Sequence, residues 1–325
     1  MNIAVVGCGA LGSYYGAKLC RAGHEVHFLL RSDYDVVRHH GVYIKSVDGD
    51  FIVHPRCAKR PEEIGPVDLV VIGLKTTANA EFQSLLSPLV GPNTAIVTLQ
   101  NGLGNEEKIA TLFGSEKTLG GLCFVCLNRI APGVVQHLGQ GMVVMGEFQG
   151  SAQPRTREIA ELLRHSGVLC KVTDNLAQAH WEKLVWNIPF NGLGVASAAG
   201  YDAMISGKVD RAQIGPCLAT DALLSDPRWE GLVRDLMMET VAIANALGYP
   251  IATAFAEKQL AKTRDMGCYR ASTLIDYERG QRLELESLFL EPKRQADMAG
   301  VPVPSLTTLC AVLSQLDPGQ TKQRD

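Results

Sequence analysis

The order of apolar and polar positions at the start of the chain predicts a strand, a helix and a second strand. An apolar run at residues 3–6 ends in the glycine-rich segment 7–12, and a helical pattern follows at residues 13–22. A second apolar run, residues 26–30, ends at Arg31. This order puts a G-x-G-x-x-G motif between strand and helix, its position in a dinucleotide-binding βαβ unit.

Each glycine of the motif has a predicted structural role. Gly7 permits a tight turn, Gly9 lets a pyrophosphate approach the backbone, and Gly12 lets the helix pack closely on the strand. The free N–H groups and the positive dipole end of the helix then face the phosphates. We therefore expect the cofactor-binding turn to consist of Gly7, Gly9, Ala10, Leu11 and Gly12.

The end of the second strand bears on the choice between NAD and NADP. Enzymes that use NAD usually have an acidic residue about twenty residues beyond the motif, where it bonds the ribose 2′-hydroxyl. The chain has Arg31 there, and a planar guanidinium suits a 2′-phosphate. This favours NADP, while Asp33 keeps NAD open as the alternative and Arg31 could also be a solvated surface charge.

Further apolar runs predict an α/β domain over residues 1–174. Three of them, residues 67–74, 94–99 and 119–126, are apolar on both faces, as a parallel sheet covered by helices requires. Helical patterns separate or follow these runs at residues 79–89, 105–113 and 155–165. The remaining short β-prone pieces are residues 42–46, 51–54 and 168–172, together with 134–137 and 142–146, which predict a β-hairpin. Strands alternating with helices are typical of a doubly wound, Rossmann-type fold.

Residues 175–325 have a different pattern and predict an all-α domain. Long helical stretches dominate, with few β-rich runs between them, at residues 177–191, 209–224, 229–247, 252–264 and 284–299. The polar tail from Asp317 onward is expected to fray. Ligands of doubly wound sheets lie at the carboxyl ends of the strands, so a helical domain at that edge would close a cleft over the cofactor.

Composition excludes several classes of protein. Of 325 residues, 46% are hydrophobic and 20% are charged, which indicates a soluble globular protein. The net charge of −3 gives no reason to expect nucleic acid as a partner. No apolar run is long enough for a membrane span, and the short N-terminal run is no signal peptide. The oligomeric state stays open, with a homodimer among the alternatives.

The nine cysteines suit a reducing, cytoplasmic location. Cys123 and Cys126 have C-x-x-C spacing, but they fall in a predicted strand, where an odd separation points them to opposite faces. No second ligand pair lies nearby, so no metal site is predicted.

Two loop residues and one helix face are candidates for the chemistry. Lys75 and Asn101 each follow an apolar run, at strand ends where a nicotinamide and its substrate would lie. A surface charge and a plain Asn-Gly turn are the alternatives for these two. Lys183, Asn187 and Asn191 recur every four residues and share one face of a helix. Asn is a poor helix former, so its repetition favours a hydrogen-bonding site over a solvated face.

A last polar cluster contains Ser272 and, further on, Glu284 and Glu286. Since the two glutamates are two residues apart, on a helix they point to different faces and only one can face a given cleft.

With these residues considered together, the chain resembles the ketopantoate reductase (2-dehydropantoate 2-reductase) family along nearly its whole length. The resemblance rests on IAVVGCGALGSYYGAKLCRAGHEV, LLR, LKT, QNG, WEKLVWNIPFN and the segment from Ser272 to Glu284. It implies a Rossmann domain followed by an all-α domain, as the hydrophobic pattern predicts independently. It also implies NADPH-dependent reduction of a small 2-oxo acid, ketopantoate, in pantothenate and coenzyme A synthesis.

The resemblance implies a role for each candidate. Lys183 would be the general acid that protonates the substrate carbonyl oxygen, Glu284 would bind the substrate hydroxyl, and Ser272 would hold the carboxylate. Asn101, Asn187 and Asn191 match positions that line the cofactor and substrate cleft. Arg31 and Lys75 match residues that contact NADP.

The chain departs from the family pattern on the substrate side. An Asn and a Gly usually follow the glutamate, where this chain has Phe289 and Leu290, and Tyr269 stands where an Asn is frequent. A paralogue acting on a different 2-oxo acid is therefore an alternative. Two others are a hydroxy-acid or opine-type dehydrogenase and a non-catalytic NADP-sensing protein, although a sensor needs none of Lys183, Ser272 and Glu284.

Overall fold

The computed structural model describes residues 1–321, and the chain divides into two compact units, Met1–Ala179 and His180–Asp325. The division lies five residues beyond the predicted boundary at residue 174. No helix among the described residues is both long and apolar enough to cross a membrane.

The first unit is built on a ten-stranded sheet. Its strands are β1 Asn2–Val6, β2 Glu25–Leu29, β3 Val42–Ser46, β4 Phe51–Val53, β5 Arg56–Ala58, β6 Val67–Ile72, β7 Val90–Thr98, β8 Thr118–Ala131, β9 Val134–Glu147 and β10 Cys170–Val172. Its helices are α1 Ala10–Arg21, α2 Tyr34–His40, α3 Phe82–Leu86, α4 Asn105–Phe113 and α5 Pro154–His165.

The strand order is β4-β3-β9-β8-β7-β6-β1-β2-β5, with β10 paired to β9. From β8 through β7, β6, β1 and β2 to β5 every neighbouring pair is parallel. The carboxyl ends of β1, β2, β6 and β7 therefore meet at one edge of the sheet. The predicted parallel α/β domain is confirmed.

Both faces of the sheet are covered, which explains the uninterrupted apolar runs. Along β1, Ile3 and Val5 pack in one core cluster with Tyr15 of α1. The alternate residue Val6 packs in a second cluster with Phe82 of α3. Because side chains alternate along a strand, burial on both faces favours apolar residues at successive positions.

The predicted hairpin at residues 134–137 and 142–146 is wrong. Both pieces belong to the single strand β9, which pairs with β8 in an antiparallel ladder. The register shifts between Phe124 and Val125 and again between Cys126 and Leu127, opposite the Gly-rich segment of β9. Gln140, with φ of 62°, lies in that segment. The glycines that suggested a turn form bulges in a continuous strand.

Two other segments of this unit differ from the prediction. Helix α2 lies between β2 and β3, where only strands and turns were predicted. The helix predicted at residues 79–89 is a 3₁₀ segment, Thr76–Glu81, followed by the short α3, Phe82–Leu86.

The second unit is helical in its described residues. Helix α6, Leu176–Ala196, enters it from the end of the first unit. The helices that follow are α7 Tyr201–Ser206, α8 Thr220–Ser225, α9 Pro227–Ala246, α10 Ala254–Asp265, α11 Ser272–Glu278, α12 Glu291–Ala299, α13 Pro304–Leu316 and α14 Pro318–Thr321. A π-helix, Glu286–Leu290, runs directly into α12.

Helix α6 is the buried centre of this unit. Its Gly192 allows close packing, because a Cβ there would lie 2.5 Å from a Leu309 methyl of α13 and 2.9 Å from the ring of Phe289. Leu184, Ile188 and their apolar neighbours on α6 are buried. From Leu184 onward the helix is buried on most of its faces, so a polar residue there needs a hydrogen-bond partner.

The helix predicted at residues 209–224 is wrong for most of its length. Only Thr220–Ser225 forms an α-helix, and Gly215 and Pro216 fall where the helix was expected to run. Proline lacks the N–H that a helix interior requires. The fraying prediction is contradicted at Asp317, which is buried and accepts a hydrogen bond from the Leu283 N–H at 2.9 Å. Residues 318–321 form α14, and the remaining residues of that prediction, 322–325, lie outside the described residues.

Candidate active site

The glycine turn after β1 is closely packed at Gly7 and Gly12 and open at Gly9. Gly7 has φ of +93°, and a Cβ there would lie 2.3 Å from the Leu74 nitrogen. A Cβ on Gly12 would lie 2.3 Å from the Gly7 carbonyl oxygen. Gly9 has nothing within 4 Å of the place its Cβ would take. Two glycines are thus required by packing, while Gly9 leaves open space beside the backbone, which fits an approaching phosphate.

The start of α1 adds hydrogen-bond donors to this turn. Gly9 is the N-cap residue, and no side chain caps the helix. The N–H groups of Ala10 and Leu11, in the first turn, have no intrahelical acceptor and lie at the positive end of the helix dipole. The turn and the helix start together fit an anionic group.

Arg31 and Asp33, the two residues that bear on cofactor choice, have different environments. The Arg31 side chain is exposed and makes no hydrogen bond or ion pair within residues 1–321. The Asp33 carboxylate is buried and paired with Arg129. Burial opposes ionisation of Asp33, but hydrogen bonds from Arg129, Gly133 and Ser32 outweigh it and lower its pKa. Of the two, only Arg31 is open to solvent.

Lys75 and Asn101 lie at the same edge of the sheet as the glycine turn. Lys75 is exposed and is the N-cap residue of the 3₁₀ segment that follows β6. Asn101 follows β7 and is partly buried. The ladder continues past both strands, since the Gly73 N–H donates to the Val6 carbonyl at 2.8 Å and the Leu99 N–H to the Ile72 carbonyl at 2.9 Å. The residues predicted to bind cofactor are therefore brought to one edge of one sheet.

A buried chain of side-chain amides, which no sequence pattern predicted, connects the Lys75 and Asn101 loops. The Gln100 amide donates to Asn79 Oδ1 at 2.8 Å, and the Asn79 amide donates to Asn105 Oδ1 at 2.8 Å. The Asn105 amide donates to the Asn101 carbonyl at 3.1 Å, and the Thr98 hydroxyl donates to Gln100 Oε1 at 2.8 Å. Polar residues inside and directly after the apolar run of β7 were the available signal.

In the second unit, the polar face of α6 contacts the start of α11. Asn187 and Asn191 are 6% and 3% exposed, and the Asn191 amide donates to Asn187 Oδ1 at 3.4 Å. Asn191 Oδ1 accepts from the Ser272 hydroxyl at 3.3 Å and from the Thr273 N–H at 3.0 Å. Lys183 is partly exposed on the same face, one turn before Asn187. The structure thus brings Asn187, Asn191 and Ser272 into one hydrogen-bonded group.

Glu284 and Glu286 occupy different environments. Glu284 is 5% exposed and lies just before the helical segment that contains the π-helix. Glu286 is exposed and ion-paired with Arg294 at 2.7 Å. π-Helices are rare and are frequently found at functional sites, and this one was not predicted. Only Glu284 has the burial expected of a group that binds substrate.

Comparisons with known proteins give the same family for both parts of the chain. The sequence profile described as "Ketopantoate reductase PanE/ApbA" matches residues 3–150, and the profile of its C-terminal part matches residues 212–317. The chain belongs to the ketopantoate reductase family.

Individual relatives match over nearly their full length. The 2-dehydropantoate 2-reductase of Nostoc sp. is 37% identical over 324 residues, which cover 97% of this chain and 94% of that protein. The crystal structure of 2-dehydropantoate 2-reductase from Geobacter metallireducens has a TM-score of 0.88 at 43% identity, covering 97% of this chain and 99% of that one. For the Methylococcus capsulatus protein of the same name the values are 0.84, 33%, 97% and 96%.

Two of the departures from the ketopantoate reductase pattern have a structural explanation. Phe289 is fully buried in the core of the second unit and packs against Gly192, so it is a packing residue. Tyr269 is partly buried, with its ring 5.9 Å from that of Trp186 on α6. Leu290, the third departure, is partly exposed at the end of the π-helix, and nothing in the structure explains it.

Proposed function

We propose that this chain reduces 2-dehydropantoate to pantoate with NADPH, in pantothenate and coenzyme A synthesis, and that Lys183 is the general acid. The observation that carries the proposal is the hydrogen-bonded group of Asn187, Asn191 and Ser272: the two buried asparagines share a face of α6 with Lys183, and the exposed Ser272 begins α11. It occurs in a member of the ketopantoate reductase family, and two relatives named 2-dehydropantoate 2-reductase are 43% and 37% identical to this chain. Such a group would serve a substrate with a carboxylate next to a carbonyl.

The role of Lys183 follows from the charge that the reaction creates. NADPH, when bound, supplies a hydride to the substrate carbonyl carbon. The carbonyl oxygen then becomes an alkoxide, which the Lys183 ammonium stabilises and protonates to give the 2-hydroxy acid. Asn187 is a neutral neighbour one turn along and does not compete for that proton.

The remaining residues hold the substrate. The Ser272 hydroxyl donates to Asn191 in the structure and can rotate to donate to the substrate carboxylate instead. Glu284 binds the hydroxyl group of the substrate. Asn191 fixes the start of α11 through the Thr273 N–H, so it determines the position of Ser272.

The cofactor residues are proposed on the same basis. Gly7, Gly9, Ala10, Leu11 and Gly12 would bind the pyrophosphate. Lys75 and Asn101 would contact the cofactor from the neighbouring strand ends. Arg31, exposed at the end of β2, would bind the 2′-phosphate, which favours NADPH over NADH.

A panel of 2-oxo acids, followed by the loss of NADPH absorbance, tests the reaction. We expect 2-dehydropantoate to have the highest kcat/KM. A higher kcat/KM for another 2-oxo acid would identify a different substrate within the family. Tyr269, whose ring lies beside that of Trp186, would then be the first residue to examine for the changed specificity. NADPH binding without oxidation by any 2-oxo acid would indicate a sensor, and oxidation only with an added amine would indicate an opine-type dehydrogenase.

A further inference from the structure

The Asp33 carboxylate is held by four hydrogen bonds, all from within the first unit. Arg129 donates twice, from Nε to Oδ2 at 2.9 Å and from its second nitrogen to Oδ1. The Gly133 N–H donates to Oδ2 at 3.0 Å, and the Ser32 hydroxyl donates to Oδ1 at 2.8 Å. A carboxylate has about four acceptor positions. Asp33 therefore has no position left for a further donor.

This arrangement is unusual for a residue at the start of a helix. Asp33 is the N-cap residue of α2, where an aspartate ordinarily accepts from the helix N–H groups, yet its side chain makes no such bond. It is directed instead to Arg129 near the end of β8 and to Gly133 in the turn between β8 and β9. The side chains of Asp33 and Arg129 are 8% and 38% exposed. The end of the β8–β9 hairpin thus engages the loop that follows β2.

We propose that Arg129 determines cofactor choice by acting through Asp33, an inference that rests on the proposed use of NADPH. With Arg129 in place, the acidic group two residues beyond Arg31 is neutralised and fully bonded. The loop then presents the Arg31 guanidinium to the adenosine ribose. Arg129 acts only through Asp33 and is therefore a positioning residue.

Two physical effects would follow from the loss of Arg129. An unpaired Asp33 carboxylate could accept a hydrogen bond from the ribose 2′-hydroxyl of NADH, as acidic residues in this loop do in NAD-binding folds. The same negative charge would repel the 2′-phosphate of NADPH. Both effects lower the affinity for NADPH relative to that for NADH.

A second buried carboxylate with an arginine partner provides a matched control. Glu147, at the end of β9, is bonded by Arg155 and by the Thr156 hydroxyl, and its side chain is 3% exposed. Arg155 also donates to the Glu116 carbonyl and has no bond to the β2 loop. Arg155→Ala therefore removes the same kind of pair from the same unit without touching Asp33.

The experiment measures NADPH and NADH dissociation constants by fluorescence titration without substrate. The variants are Arg129→Ala, Arg129→Lys, the double variant Asp33→Ala/Arg129→Ala and Arg155→Ala, each checked by thermal unfolding. We expect Arg129→Ala to lower the preference for NADPH over NADH by about tenfold. The freed Asp33 carboxylate would gain a hydrogen bond from the 2′-hydroxyl of NADH and would weaken the binding of the NADPH 2′-phosphate, and a charged hydrogen bond contributes roughly this much. Arg129→Lys should have a smaller effect, the double variant should return towards the wild-type ratio, and Arg155→Ala should keep it.

Two outcomes would overturn the inference: an unchanged affinity ratio in folded Arg129→Ala, or a fall in the ratio of the double variant as large as that in Arg129→Ala. The wild-type chain tests the proposed function separately. Selective NADPH binding without turnover of 2-dehydropantoate would refute the proposed reaction and leave the ratio test of Arg129 valid. A wild-type chain without NADPH preference would refute the proposed cofactor and this inference together.

Discussion

Lys183 differs from an ordinary surface lysine in its neighbours. It shares a helix face with Asn187 and Asn191, two buried and hydrogen-bonded amides that carry no charge. A fixed ammonium group next to a developing alkoxide needs little reorganisation during the reaction, which is the basis of electrostatic catalysis. Asn191 is itself bonded to Ser272 and Thr273, which limits its motion.

We therefore expect Lys183→Ala to lower kcat by about 10²- to 10⁴-fold, the usual contribution of a general acid. NADPH affinity should change little, because the proposed cofactor residues belong to the first unit. Stopped-flow reduction and an NADPH titration measure the two quantities. Lys258→Ala, an exposed lysine on α10, is the matched control. Turnover close to wild type in Lys183→Ala would refute the role.

Arg31 gives a second prediction at the residue scale. Its guanidinium is exposed and has no protein partner within residues 1–321, so its removal leaves no buried group unpaired. Arg31→Ala should weaken NADPH binding by roughly 10- to 100-fold, the value of a charged hydrogen bond to phosphate. NADH binding should change far less, and it serves as the internal control. Equal losses for both cofactors would show that Arg31 does not recognise the 2′-phosphate.

At the scale of elements, the sheet was predictable where burial alone determines the pattern. β1, most of β6 and the second half of β7 are covered on both faces, so their sequences are mainly apolar runs with few alternatives. The Gly-rich segment of β9 was misassigned because Gly139 and Gly141 are equally compatible with a turn and with a bulge. Only pairing with β8, which is distant in sequence, decides between them.

In the candidate site, too, the parts that depend on local sequence were predicted and the parts that depend on long-range contacts were not. The glycine turn is a local motif, and the face shared by Lys183, Asn187 and Asn191 follows from helical periodicity. The buried amide chain from Asn79 to Asn105 was not predicted, because its members come from three elements and share no spacing. The tie between Asp33 and Arg129 joins residues 96 apart, so no local pattern could reveal it.

The amide chain leads to a prediction for α4. Asn105 is fully buried and bonds both Asn79 and the Asn101 carbonyl. Asn105→Ala leaves these groups unpaired, which should cost about 1–3 kcal/mol of stability and loosen the loop of Asn101. We expect the KM for NADPH to rise in Asn105→Ala and also in Asn105→Asp, because aspartate keeps the acceptor for Asn79 but has no N–H to donate to the Asn101 carbonyl.

Thermal unfolding and steady-state kinetics measure the two effects of the Asn105 variants. Thr111→Ala, an exposed position on the same helix, is the control. A loss of stability with an unchanged KM for NADPH would show that the amide chain maintains the fold only.

For the whole molecule, the important property is that the proposed cofactor and catalytic residues belong to different compact units. The glycine turn, Arg31, Lys75 and Asn101 belong to the first unit, and Lys183, Ser272 and Glu284 to the second. A ligand that binds only the folded first unit stabilises it by mass action, whatever its effect on the second. Thermal unfolding with cofactor therefore tests the assignment of the cofactor residues independently of catalysis.

We expect NADPH at about 100 times its dissociation constant to stabilise the first unit by about 2.7 kcal/mol. For a unit of this size that corresponds to a rise in Tm of roughly 5–10 °C. NADH at the same concentration should give a smaller rise, and Arg31→Ala should remove most of the difference between the two. If calorimetry resolves two transitions, only the one belonging to Met1–Ala179 should move. A shift confined to the other transition, or no shift at saturating NADPH, would contradict the assignment of the cofactor to the glycine turn.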